Sequence, residues 1–291
     1  MGGNGSRRNG DKDANGFCFS IPFFLYFVVN LTVAELKFLR SLQQKKARDA
    51  SRKFLLEGWR PLIDAFNSDF TVEMIAVLTN AGQKPEQREA LALAKKRKIP
   101  LKELKKKQLG QISDSMHSQG VIALVHQKAK VFDASVQQSA RLIVACDRVS
   151  DPGNLGTIVR TCDWFGVDAV LLNAGSVSLY NDKVVRSTAG SLFHLDVFEG
   201  LDYETALPNL KSQGFTLIGS ALDGKSFQTF IFPARTVLFL GSEAHGINPE
   251  LAERMDEMLT IPRVGRAESL NVGIACGILL AQWRNQQGWG R

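Results

Sequence analysis

Two stretches near the C-terminus constrain the fold more than anything else in this chain: VLFLGSEAHG at 237–246 and LTIPRVGRAESLNV at 259–272. Residues 237–240 are a β-branched and apolar run that stops at Gly241, which is how a buried parallel strand reads when it delivers a loop to a ligand. That loop sets Gly241 and Gly246 around one carboxylate, Glu243. The second stretch repeats the form. Residues 258–261 read as a strand, Pro262 and Gly265 punctuate it, and Glu268, Ser269 and Asn271 precede an apolar helix. Two glycine-bearing loops at the C-terminal ends of strands describe a ligand crevice in an open α/β sheet.

A third loop lies upstream. Residues 142–146 are an apolar strand, followed by DPGNLGTIVR at 151–160. Pro152 and Gly153 force a turn, and Asn154 is read as the cap of the next helix, with Arg160 within its first two turns. The set NxGxxxR (Asn154, Gly156, Arg160), GSExxG (241–246) and IPxxGxxESLNV (261–272) resembles the three motifs of the SpoU/TrmH family of RNA ribose 2′-O-methyltransferases, part of the SPOUT class. All three stand in family order over residues 142–283.

The resemblance implies an α/β fold with a mostly parallel sheet and a trefoil knot in the C-terminal domain. It also implies S-adenosylmethionine as cofactor, an RNA substrate and a homodimer. Gly241, Ile261 and Leu270 would give backbone contacts to the adenosine, with Leu240 and Gly265 beside them and Ser220, Ala221 and Leu222 alongside. Arg160, Asn154, Glu243, Ser269 and Asn271 would form the catalytic set. Two positions depart from the family pattern: Ala244 stands where glycine is frequent, and Gly273 where serine is common.

The residue chemistry fits that assignment. A guanidinium grips phosphate with two prongs, so Arg160 is read as holding RNA backbone beside the target ribose. An arginine pKa above ~12 makes it a poor base, and proton transfer assisted by the phosphate is the simpler route. Asn154 and Asn271 each offer a donor and an acceptor to orient Arg160 and the ribose. Glu243 reads either as a site acid or as the cap of the helix after it. Ser269 reads either as a hydroxyl ligand or as the cap of a helix starting at Leu270. No strand is followed by GxGxxG with a later acidic partner, which excludes a nicotinamide dehydrogenase. The alternative is a non-catalytic RNA-binding relative, against which the joint presence of the five catalytic residues stands.

The N-terminal half is organised differently. Residues 1–16 are rich in Gly, Asn, Arg and Asp and read as disordered. FCFSIPFFLYFVVNL at 17–31 imitates a signal peptide but contains Pro22 and is short for a bilayer span. It is read as an extension from a mis-assigned start, or as an element packing on the domain. Residues 32–127 alternate helix and strand, beginning with one basic helix over 32–52, and resemble the L30e-like substrate-binding domain that often precedes a SpoU domain. Residues 128–141 read as a linker, and 142–291 as the methyltransferase domain. Lys95, Lys96, Arg97, Lys98, Lys105, Lys106 and Lys107 are the candidate RNA contacts, and the net charge of +7 favours a polyanionic partner. By analogy this domain tilts the substrate toward ribosomal over transfer RNA.

The four cysteines (Cys18, Cys146, Cys162, Cys276) form no CxxC, and three lie in apolar contexts, consistent with buried thiols in a reducing, cytoplasmic compartment. The four histidines (His117, His126, His194, His245) lack ligand spacing, so no metal site is read and no membrane partner is expected.

Overall fold

The structure, a computed structural model, describes residues 28–79, 81–113 and 118–289. The expected disorder of 1–16, most of the apolar stretch 17–31, Cys18 and His117 lie outside them. The chain opens with β1 (Val28–Asn30), α1 (Val33–Ser41), α2 (Lys45–Ser51), β2 (Lys53–Glu57), α3 (Trp59–Asn67) and β3 (Val72–Leu78). Next come α4 (Pro85–Lys96), β4 (Leu101–Leu104), α5 (Lys106–Ile112) and β5 (Val121–His126). These strands form one mixed sheet in the order β1-β4-β3-β5-β2. The end of the apolar stretch is thus part of the domain: β1 pairs in parallel with β4, and Leu31 is buried.

The second half contains α6 (Ala134–Ser139), β6 (Leu142–Cys146), α7 (Pro152–Trp164), β7 (Ala169–Asn173), α8 (Asp182–Ser187), β8 (Asp196–Leu201), α9 (Tyr203–Ser212) and β9 (Thr216–Ser226). It ends with β10 (Thr236–Leu240), α10 (Pro249–Ala252), β11 (Glu257–Thr260) and α11 (Val272–Gln287). Its six strands run parallel in the order β11-β9-β10-β6-β7-β8. β6 and β10 are buried at every residue, as strands covered on both faces must be. The fold class is therefore α/β with a mostly parallel C-terminal sheet, as expected.

The basic helix expected over 32–52 is broken between α1 and α2. Arg48 causes the break. Its guanidinium donates to the carbonyls of Leu42 (3.0 Å) and Gln43 (2.8 Å), and the residue is buried. It therefore satisfies the open end of α1 and is no part of a basic surface. The expected linker contains α6, capped by Asp133. Just before it, Lys128 is pinned by Tyr180, whose hydroxyl accepts from Lys128 N (3.0 Å) and donates to Lys128 O (3.1 Å). One apolar cluster runs through both halves, with Phe54 packed on Tyr180 (4.7 Å between ring centres) and Phe70 edge-on to Phe193 (5.0 Å).

Helices α7 and α11 lie together over the C-terminal sheet, and small residues set their approach. A Cβ on Gly273 would stand 2.8 Å from Thr157 Cγ2, and one on Gly156 would stand 2.3 Å from Ser187 Cβ of α8. The departure at Gly273 thus serves packing inside the chain. Arg284 of α11 closes the other end of α7, donating to the carbonyls of Phe165 (2.5 Å) and Gly166 (2.6 Å). Among the described residues no helix is long and apolar enough to cross a membrane.

Candidate active site

The three motif loops meet at the C-terminal ends of β6, β10 and β11, and three side chains tie them together. Asn154 Nδ2 donates to Glu243 Oε1. Asn271 Nδ2 donates to Asn154 Oδ1 (2.8 Å) and also reaches Glu243 Oε1 (3.3 Å). Asn271 Oδ1 accepts from Gly273 N (2.9 Å) and Ile274 N (3.3 Å), so the same amide caps α11. Each asparagine uses its amide donor and its carbonyl acceptor at once.

Several expected roles move. Asp151, not Asn154, caps α7, because its carboxylate accepts from Asn154 N (2.9 Å), while Asn154 sits in the first turn with its amide turned to Glu243. Asn271, not Ser269, caps α11, and Glu243 caps no helix but receives both asparagines. Ser269 is exposed and no hydrogen bond engages its side chain among the described residues. Arg160 lies in the third turn of α7, exposed, with no ion pair or hydrogen bond among the described residues.

The residues expected to hold the cofactor fall on neighbouring strand ends. Leu240 and Gly241 end β10, Ile261 follows β11, and Ser220 and Ala221 lie in β9 between those strands. β9 pairs with β11 at Gly219↔Met258 and again at Lys225↔Leu259, so residues 220–224 leave the ladder between them. Thr260 Oγ1 holds that excursion by donating to Leu222 O (2.8 Å). Gly241 is obligatory: a Cβ there would stand 2.1 Å from Gly246 C and 2.2 Å from Ile247 N. The loop closes on itself through Ser242 N to Gly246 O (3.0 Å) and Gly246 N to Ser242 O (2.8 Å). Gly265 meets nothing within 4 Å, so no steric need for glycine exists there.

This chemistry suits S-adenosylmethionine. Along residues 261–270, no backbone–backbone hydrogen bond is made among the described residues, and Leu222 and Leu270 expose apolar side chains. Free peptide groups beside exposed leucines match an adenine ring, which has apolar faces and a polar edge.

Sequence reasoning missed a second network behind the site. Asp147, directly after β6, is buried and splits its oxygens among three partners. Oδ1 accepts from Asn173 Nδ2 (2.7 Å), Oδ2 accepts from Asn248 N (2.7 Å), and Arg148 lies against both oxygens (3.3 and 3.4 Å). The only signal in the sequence was an acid immediately after an apolar strand. Beside this network opens a cleft of about 360 Å³, lined by Arg148, Ser150, Gly175, Ser242, Glu243 and His245 among others.

On the N-terminal domain, Lys96, Lys98 and Lys105–Lys107 are exposed, as is Lys95. Arg97 is exposed with them. Its guanidinium donates to the carbonyl of Phe66 near the end of α3 and lies 5.5 Å from that ring centre. The three described cysteines are buried and unpaired, and burial pushes the Cys146 and Cys162 thiols far up from their ordinary range.

Known proteins resemble this chain in sequence and fold. The SpoU rRNA Methylase family model matches residues 141–281, and the MRM3-like substrate binding domain model matches residues 34–123. The chain is 32% identical over 246 residues to the 23S rRNA (guanosine(2553)-2′-O)-methyltransferase RlmP of Bacillus subtilis, covering 84% of this chain and 94% of that one. A TrmH-family structure from Porphyromonas gingivalis superposes with a TM-score of 0.74 at 31% identity, covering 88% and 99% of the two chains. An S-adenosylmethionine-bound rRNA methyltransferase from Sinorhizobium meliloti gives 0.76 at 30%, covering 89% and 97%. With its three motif loops joined by Asn154, Glu243 and Asn271 and relatives matched over nearly their whole length, this chain belongs to the SpoU family of RNA methyltransferases.

Proposed function

We propose that the protein transfers a methyl group from S-adenosylmethionine to a ribose 2′-hydroxyl of large-subunit ribosomal RNA. The observation that carries this is the closed Asn154–Glu243–Asn271 network at the meeting point of the three motif loops. The ribosomal choice is supported by RlmP, whose name specifies a guanosine of 23S rRNA.

S-adenosylmethionine, when bound, supplies the methyl group as an electrophile on a positively charged sulfur. Ile261, Leu270 and the backbone at Gly241 and Ser220–Ala221 would hold its adenosine, with Leu240 beneath. Arg160, unpaired among the described residues, grips an RNA phosphate beside the target ribose. A guanidinium is a donor with no acceptor, so the ribose proton leaves through the phosphate that Arg160 holds. The asparagine amides fix Glu243 and the mouth of α11, so the ribose meets a preformed site.

The domain division belongs to the same proposal. Residues 32–127 hold RNA through Lys95, Lys96, Lys98 and Lys105–Lys107, and 142–291 carry the chemistry. A homodimer is supported by apolar side chains exposed on α7 and around α11: Trp164 (83%), Ile274 (54%) and Leu270 (45%). Action in the cytoplasm is supported by the buried, unpaired thiols.

The test is calorimetry with S-adenosylmethionine, followed by methyl transfer to protein-free rRNA from a strain lacking the gene. Saturable binding and a mapped 2′-O-methyl group are expected. A folded protein that ignores millimolar cofactor would refute the reading.

A further inference from the structure

The cleft beside the Asp147 network is not needed to hold the cofactor, whose expected contacts lie on β9, β10 and the loop after β11. Its wall is nevertheless built with care. Arg148 has a left-handed backbone (φ 54°), a conformation costly for most side chains. Its N–H is held by Asn173 Oδ1 (3.0 Å), and its guanidinium leans on the buried Asp147 carboxylate. A Cβ on Gly175 would stand 2.6 Å from Arg148 Cγ, so the glycine makes room for the side chain. The opposite wall is the 242–246 loop, closed by its two backbone hydrogen bonds.

Arg148 is not used up by Asp147. Its Nε is buried, 3.3 Å from Oδ1 but misaligned for a hydrogen bond, and its side chain remains 42% exposed. Asp147 therefore orients the fork while leaving N–H donors facing the cleft. Across the cleft stands Glu243, which receives both asparagines on Oε1, with no partner at Oε2 among the described residues. Because Glu243 belongs to both places, the cleft opens onto the point where the ribose must lie.

We infer that this cleft takes the base of the target nucleotide, flipped out of its stack, and that Arg148 selects guanine there. This rests on the reading of the site as a 2′-O-methyltransferase. A cleft of about 360 Å³ admits one nucleotide and no helix, so the target base has to leave its stack to enter. One wall carries donors only, the other a carboxylate acceptor. Guanine presents two adjacent acceptors, O6 and N7, to an arginine fork and offers N–H donors on its Watson–Crick edge to a carboxylate. Adenine would turn an amino group toward Arg148, and the pyrimidines lack the acceptor pair beside a donor edge. Ser150, Ser242 and His245 border the same space and complete its polar rim.

The experiment uses the full chain with labelled S-adenosylmethionine and protein-free rRNA from a strain lacking the gene. The methylated nucleotide is mapped, and a short transcript spanning it is made with guanosine, adenosine or 7-deazaguanosine at the target. A mapped guanosine is expected, with kcat/KM falling at least about 5-fold for 7-deazaguanosine, which lacks the N7 acceptor. Arg148→Asn, a residue that tolerates a positive φ, should cut the preference for guanosine over adenosine by about 5- to 150-fold while cofactor affinity holds. Transfer to another base, or an unchanged rate on 7-deazaguanosine, would each overturn this proposal and leave the methyltransferase reading standing. Absence of transfer to any RNA would overturn both. The 7-deazaguanosine arm needs no variant, so it decides the matter even where Arg148→Asn fails to fold.

Discussion

Asn271 does two jobs that substitution can separate. Its Oδ1 caps α11, and its Nδ2 ties Asn154 to Glu243. Asn271→Ala removes both. Loss of the cap costs about 0.5–2 kcal/mol, and the exposed amide hydrogen bonds add at most about 1 kcal/mol more. At about 2–4 °C per kcal/mol for a domain of this size, the melting temperature should fall by about 1–12 °C. Asn271→Asp keeps the capping oxygen and adds about 0.3–1 kcal/mol from a negative charge at a helix N-terminus. It also brings a carboxylate to where the amide now lies, 3.3 Å from Glu243 Oε1. In a water-like dielectric that repulsion is about 1 kcal/mol, and the lost amide hydrogen bonds cost at most about 1 kcal/mol more, so the net loss of stability should be about 0–2 kcal/mol. Salt sharpens the test, because screening at 1 M shortens the Debye length to about 3 Å and should recover what repulsion costs at low salt. Both variants should nevertheless lose at least tenfold in methyl-transfer kcat, since neither donates to Asn154 and Glu243. Thermal melting at two salt concentrations and single-turnover transfer check the pair. Full kcat in Asn271→Asp, or an Asp variant as unstable as Ala at high salt, would refute the division of labour.

Arg160→Ala should abolish turnover while leaving cofactor affinity by calorimetry unchanged, and Arg160→Lys should stay well below wild-type kcat because a point charge cannot grip phosphate with two prongs. Alanine at Lys96, Lys98, Lys105, Lys106 and Lys107 should weaken RNA binding and flatten its salt dependence by up to ~0.9 log units per lost duplex contact, measured by filter binding, with kcat at saturating RNA preserved. Glu35, bonded to Lys102 and to Thr32 in a capping box, has its carboxyl lowered from 4.5 to about 2. Its contribution is therefore present above pH 4.5 and lost as pH falls toward 2, so urea midpoints of wild type and Glu35→Gln should differ at pH 6 and converge near pH 2.

The parallel sheet was legible because buried strands such as β6 and β10 are uninterrupted apolar runs that end at glycine or acid. Meeting of the three loops was legible through the motifs alone. Assignments failed where two residues of equal local propensity compete: Ser269 and Asn271 both cap helices well, and only the pull of Asn154 and Glu243 selects the second. The same holds for Asp151 over Asn154. Arg48 counted as surface charge because a basic run does not disclose which guanidinium bends back to a carbonyl and is buried. Asp147 went unseen because its partners, Asn173 and Asn248, come from strands and loops far along the chain. Gly156 read only as a motif position and Gly273 as a departure from the family pattern, yet helix packing explains both.

The excursion at 220–224 also bears on how the protein stays soluble. β11 is the outer strand of the parallel sheet, only four residues long, with its pairing to β9 interrupted between Met258 and Leu259. An open edge invites another chain to add a strand, and a short edge with a broken register offers such an intruder little continuous ladder. The Lys225–Glu257 ion pair (2.6 Å) places charge on the same rim. The interrupted register thereby blunts the sheet against aggregation, so a change that regularises the pairing of β9 with β11 should raise the tendency to form fibrils.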